Sequence, residues 1–146
     1  LAVARLRRMG VHVVGEVAKP GLVEVPARAT LLTALIAAGG PTKSASLRRV
    51  RLDQDGEACD IDLYSFLMEG DRSPLALLRG GAVITVLPIG PTAAVAGLVQ
   101  RPGIYELRGG STVKEMLAYA GGLTAFTFTP QAQIERTVEG CCRQCV

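Results

Sequence analysis

The feature that most constrains this sequence is a duplication. With Gly15 set against Gly97, an offset of 82, residues 15–42 align without a gap to residues 97–124, and eleven of the 28 positions are identical. The identities pair Gly15 with Gly97, Val17 with Val99, Pro20 with Pro102, Gly21 with Gly103 and Glu24 with Glu106. They continue through Thr30/Thr112, Leu35/Leu117, Ala38/Ala120, Gly39/Gly121, Gly40/Gly122 and Thr42/Thr124. Recurrence at a fixed offset means one structural unit used twice, so the chain reads as two tandem copies, residues 1–90 and 91–146.

Each copy carries the same local pattern. His12–Val17 and Ala94–Val99 are short β-prone runs, each followed by a Pro-Gly pair, Pro20-Gly21 and Pro102-Gly103. Proline presets the first turn angle and glycine accepts the positive φ of a type II turn, so a hairpin is expected. The return strands are Leu22–Val25 and Ile104–Leu107, with the glutamate of each pointing outward. A short helix should follow. Thr30 and Thr112 stand as N-caps, and Thr112 with Glu115 fits a capping box. Leu31, Leu35 and Ala38 share one helical face, as do Val113, Leu117 and Ala120. Gly39-Gly40 and Gly121-Gly122 then stop each helix, because glycine adopts the left-handed conformation at little cost. A phosphate cradle precedes a helix rather than following it, so these glycines are read as structural.

Beyond the first helix, Arg49–Leu52 alternates as a strand, Asp55-Gly56 signals a hairpin, and Ala58–Ile61 returns. Leu63–Met68 resembles a short helical turn ending near Gly70, and Ala82–Leu87 supplies the last strand. Pro88–Pro91 is the expected joint between copies. In the second copy, Gln133–Val138 should repeat the post-helix strand and Glu139-Gly140 its turn, but nothing corresponds to Leu63–Leu87. The second sheet should therefore lack a strand, with an open edge near Gln133–Val138, unless another segment or chain supplies it. The fold class is α+β: two β-grasp-like units, each a small mixed sheet on one helix, the second truncated at its C-terminal end.

Composition narrows the functions. Sixteen basic against thirteen acidic residues leave +3, without the clustered Lys/Arg face that nucleic-acid binding requires. No apolar run approaches the roughly 20 residues of a membrane span. The chain starts at Leu1 without a visible leader and reads as an excised or processed piece. Aromatics are 4% with no Trp, so the core must be Val, Leu, Ile and Ala. The four cysteines are Cys59, Cys141, Cys142 and Cys145. Three crowd one end, and the single His12 lies in an apolar alternating run, so no metal-ligand set is formed. Asp60 and Asp62 are two apart, but Asp53, Asp55 and Glu57 beside them suggest a solvated acidic hairpin rather than a catalytic pair. Ser73 has no visible base, and no nucleophile elbow, P-loop or HExxH pattern occurs. The expectation is no enzyme, no metal and no cofactor.

The stretches VVGEVAKPGLVEV, ATLLTALIAAGGPTKSASLRRVRL, DLYSFLMEGDRSPLALLRGGAVITVLPIGPT and VAGLVQRPGIYELRGGSTVKEMLAYAGGLT resemble the soluble-ligand-binding β-grasp (SLBB) modules of bacterial polysaccharide export proteins, the Wza-type outer-membrane family. The resemblance covers about Val11 to Thr137. It departs at Ala82, where the family usually has Asp. It implies a non-catalytic periplasmic module of an oligomeric conduit for capsule or exopolysaccharide, associated with the outer membrane through parts outside this sequence. The implied partners are other copies of the protein, the polysaccharide chain and inner-membrane polymerisation or export components. Exposed loop residues Lys19, Lys43, Ser44, Arg48, Arg51 and Arg101 are the candidates for contact with an anionic polymer. The alternative is a stand-alone domain binding a small ligand or sugar, which would need a concave pocket with convergent polar groups.

Overall fold

The computed structural model describes residues 7–125, 133–138 and 141–145. The first repeat is a five-stranded mixed sheet packed on one helix. Its strands are β1 (Arg8–Gly15), β2 (Gly21–Pro26), β3 (Ala45–Gln54), β4 (Glu57–Ile61) and β5 (Val83–Pro88), with α1 (Leu31–Ala37) between β2 and β3. They lie in the order β2-β1-β5-β3-β4. β5 runs parallel to β1 and antiparallel to β3, so the last strand joins two hairpins into one sheet. This is the β-grasp arrangement expected from the sequence.

Alternation decides which side of the sheet is dry. Val11 and Val13 of β1, Val25 of β2, Val50 and Leu52 of β3, and Ile84 and Val86 of β5 turn inward. Leu31, Ala34, Leu35 and Ala38 of the helical segment meet them, and the continuous core lies entirely within the first repeat. A seven-residue helix cannot persist alone; α1 is held by this burial and by its cap, Thr30 Oγ1 accepting from Thr33 N. Each fully buried Val, Leu or Ile contributes on the order of 1.5–3 kcal/mol relative to exposure. The segment expected as a short helical turn, Leu63–Met68, overlaps a π-helical turn, Ser65–Glu69, closed by Gly70 in the left-handed conformation. Ala82 is buried, and its carbonyl accepts the His12 N–H at 2.9 Å.

One glycine is dictated by close approach. Gly15 has φ +89°, and a Cβ there would collide with the Val86 carbonyl of β5. The strand can therefore pass only if position 15 has no side chain.

The second repeat reproduces the local geometry of the first. β6 (Thr92–Val95) pairs with β7 (Gly103–Glu106), and α2 (Val113–Tyr119) follows. Thr92 faces Glu106 as Gly10 faces Glu24, the same register at the 82-residue offset. Lys19 N donates to Ala38 O at 2.9 Å, and Arg101 N donates to Ala120 O at 2.8 Å. The Val17–Pro41 bridge recurs as Val99–Leu123. The Thr112/Glu115 capping box forms as expected.

Two expectations are corrected. α2 buries Met116, and Ala120 at its C-cap is buried as expected, whereas Val113 is 45% exposed. The reason lies in the sheet beneath it. β6–β7 and the hairpin of β8 (Glu135–Val138) with β9 (Cys141–Cys145) form separate two-stranded sheets, so α2 lacks the broad surface that α1 covers. Gly97 has φ +98° but nothing within 4 Å of its Cβ position. The strand that forces glycine at position 15 has no counterpart beside Gly97 among the described residues. Second, Glu106 points out of its own hairpin yet is only 2% exposed, because the first repeat covers it. The expected turn at Glu139-Gly140 lies outside the described residues, as do the side chains of Cys141, Cys142 and Cys145; Cys59 is an exposed free thiol.

Candidate functional site

The joint between the repeats grows out of an irregularity in β3. The β3–β5 register shifts between Ala45 and Val50, which withdraws backbone N–H groups from the ladder and leaves them needing acceptors. Ser46 Oγ accepts from Arg48 N at 3.2 Å and Arg49 N at 2.9 Å. Glu106, arriving on β7, accepts from Ser46 Oγ at 2.6 Å, Leu47 N at 3.0 Å and Gly90 N at 3.0 Å, with a longer contact to Arg48 N at 3.4 Å. One carboxylate thus caps the bulge of one repeat and the connector leading to the next.

Arg48 closes the joint from the other side. It is 8% exposed; Nε donates to the Glu106 carbonyl at 2.9 Å and Nη1 to Asp62 Oδ2 at 3.2 Å. Its Nη2 has no hydrogen-bond acceptor among the described residues. The guanidinium instead lies 4.0 Å over the Tyr64 ring centroid and 5.1 Å from that of Tyr119, and cation–π attraction compensates for the missing partner. Tyr64 Oη accepts the Glu106 N–H at 3.0 Å. Tyr64 meets Tyr119 edge-on at 5.9 Å, and Tyr105 lies 6.4 Å from Tyr119. All three tyrosines of this aromatic-poor chain therefore converge at the joint.

Above the joint lies a cleft of about 340 Å³ lined by Arg48, Arg49, Arg108, Asp62 and Glu106, with the backbone of Gly90 and Gly109. Asp62 accepts from Arg48, from Arg108 Nη2 at 2.5 Å and from Tyr64 N at 2.8 Å. The hydrogen bond and charge of Asp62 hold the Arg108 guanidinium above its ordinary value. Arg49 Nη2 donates to the Pro88 carbonyl at 2.8 Å.

The residues anticipated as polymer contacts do not form one cluster. Lys19 and Arg101 occupy equivalent Pro-Gly turns beside the helix C-termini, both exposed. Lys43 is exposed in the turn before β3. Ser44 donates to Glu16 at 2.6 Å; this bond and one from Thr42 lower the Glu16 pKa. Arg51 pairs with Asp60 at 2.9 Å across β3–β4, a bond that raises the pKa of the arginine and lowers that of the aspartate. Arg48 is not the exposed loop residue expected, because β3 carries it into the joint. Pattern reading missed Glu106, Asp62, Arg49, Arg108 and the tyrosine convergence. Glu106 carries no distinguishing local signal, since Glu24 repeats it in the same motif.

The sequence profile of the SLBB domain matches residues 11–62 and 92–140, one segment in each repeat. The chain belongs to the SLBB domain family. It is also similar to the EPS I polysaccharide export outer membrane protein EpsA of Ralstonia solanacearum, 32% identical over 142 residues. That alignment takes in 92% of this chain and 37% of the relative, so the chain spans well under half of that protein's length. Among the described residues no helix is long and apolar enough to cross a membrane, and no group of His, Cys, Asp and Glu side chains could hold a metal ion. The second SLBB segment includes Glu106, and the first includes Arg48 and Asp62. The joint is therefore a contact between two SLBB domains.

Proposed function

We propose that this chain is a non-catalytic, periplasmic part of a polysaccharide export protein, in which residues 1–90 and 91–146 form tandem SLBB modules contributing to an oligomeric conduit associated with the outer membrane. The observation that carries this reading is the alignment running through both repeats with an export protein of the outer membrane. The buried Glu106–Arg48 joint is compatible with an architectural role, since it holds two small modules in a fixed relation, which a ring of subunits requires. The partners are other copies of the protein, the polysaccharide and inner-membrane polymerisation or export components. The second reading, a stand-alone module for a small ligand or sugar, draws on the arginine-lined cleft.

Sedimentation equilibrium on the full-length protein separates the two. A ring-sized assembly is expected, together with loss of exported polysaccharide in a strain lacking the gene. A monomer in a strain that still exports its polymer overturns the conduit reading.

A further inference from the structure

We infer that the cleft between the two SLBB modules is a binding site for the carboxylate of an acidic sugar, with Arg49 and Arg108 as its cationic contacts. This deepens the polysaccharide reading above and rests on it. Three guanidinium groups and two carboxylates line the cleft, which leaves one surplus positive charge. Both carboxylates are already engaged: Glu106 by Ser46 and the N–H groups of Leu47 and Gly90, Asp62 by Arg48, Arg108 and Tyr64 N. Arg48 is committed to the joint. Arg49 and Arg108 are not. Each spends one Nη2 on a protein acceptor, Pro88 O and Asp62 respectively, and their other side-chain N–H groups have no hydrogen-bond partner among the described residues. Both are exposed. Unspent, fork-shaped donors beside a surplus charge match a planar carboxylate.

Gly90 and Gly109 line the cleft together with Pro91 and Leu107. A Cβ at Gly90 would stand 3.4 Å from Glu106 Oε1 and 3.7 Å from Arg49 Nη2, in the space a ligand oxygen would use to reach Arg49. The volume, about 340 Å³, falls at the lower end of the ~300–1,000 Å³ range of small-molecule sites. That suits one or two sugar units of a polymer rather than a large cofactor.

Calorimetric titration of the full-length protein with galacturonic acid trimer, a neutral galactose trimer and inorganic phosphate tests the assignment. The acidic trimer is expected to bind at least about tenfold more tightly than the neutral one, and phosphate should not match it. Arg49→Gln/Arg108→Gln should weaken the acidic trimer at least about tenfold. Gly90→Ala, which keeps every charge, should weaken it several-fold with little change in melting temperature. Arg28→Gln, an exposed cation outside the cleft lining, should leave binding unchanged. Equal binding of the neutral trimer, equal binding of phosphate, no binding at all, or full affinity in both cleft variants would each overturn the inference. The export reading is scored separately in cells. If the null strain fails to export while calorimetry shows no acidic preference, the cleft assignment alone falls. If the null strain exports normally, the export reading falls whatever the titration gives.

Discussion

Glu24 and Glu106 occupy the same position in the repeat, on equivalent strands and in equivalent register, yet their surroundings differ completely. Glu24 faces solvent, with a 3.6 Å contact to Arg8 in which the two side chains are 69% and 73% exposed. Glu106 is buried and accepts three well-formed hydrogen bonds from Ser46 Oγ, Leu47 N and Gly90 N. Replacing Glu106 with Ala strands those donors. Each unsatisfied buried donor costs roughly 1–3 kcal/mol. Because the site lies beside an open cleft from which water can enter, the lower figure applies, about 1 kcal/mol for each donor. The expected loss is about 3 kcal/mol, from three donors at about 1 kcal/mol each. For a chain of this size that corresponds to a fall in melting temperature of about 6–12 °C. Glu24→Ala removes only a surface ion pair and should cost less than about 0.5 kcal/mol. Urea unfolding of both variants, followed by far-ultraviolet circular dichroism, measures the difference. Glu106→Ala should also separate the unfolding of the two modules into distinct transitions. If the two alanine variants lie within about 0.5 kcal/mol of each other, the joint does not anchor one module to the other.

Three further outcomes follow from particular contacts. Gly15→Ala should be severely destabilising, because its Cβ meets the Val86 carbonyl; Gly97→Ala should cost only the roughly 1–2 kcal/mol of a left-handed non-glycine residue, and equal melting temperatures would refute the distinction. Gly39→Val should lower stability through its φ of +83° and a Cβ 3.0 Å from Ala18 Cβ, while leaving titration with the acidic trimer unchanged; an unaltered melting temperature counts against its role as a helix stop. The Glu16 carboxylate is held below the ordinary glutamate value of 4.5 by Ser44 and then Thr42. Its contribution to stability is thus present above that value and is lost as pH falls through the lowered folded value. Glu16→Gln should flatten the acid limb of the stability curve, and an unchanged limb would show that Glu16 contributes nothing to it.

Much of the fold was legible because its determinants are local. Pro20-Gly21, the Thr30 cap and the Gly39-Gly40 stop each act within a few residues, and their recurrence at one offset shows that the pattern is a unit. The topology of the first repeat followed from adding Ala82–Leu87 as a last strand. The joint was not legible, because it depends on contacts far apart in sequence: Ser46 with Glu106, Arg48 with Tyr64, and Asp62 with Arg108. No spacing rule links them. Arg48 looked like a surface cation because it belongs to a basic run, Arg48-Arg49, and then Arg51. β3 separates the three, sending Arg48 into the joint, Arg49 to the cleft and Arg51 to the outer face against Asp60.

The duplication also explains how such a joint could arise without a new fold. A hairpin that projects a glutamate from its outer face offers a carboxylate to whatever packs there. In the first repeat that face meets solvent. In the second it meets the β3 bulge of its neighbour, where the register shift has freed N–H groups that need an acceptor. Neither half is stable in the joined position by itself: the bulge without the carboxylate leaves buried donors, and the buried carboxylate without the bulge leaves a desolvated charge. Their mutual satisfaction fixes the second module against the first although its own sheets remain separate. It also brings Arg108, at the end of the same hairpin, over Asp62 and opposite Arg49. The cleft and its surplus charge are therefore consequences of the docking.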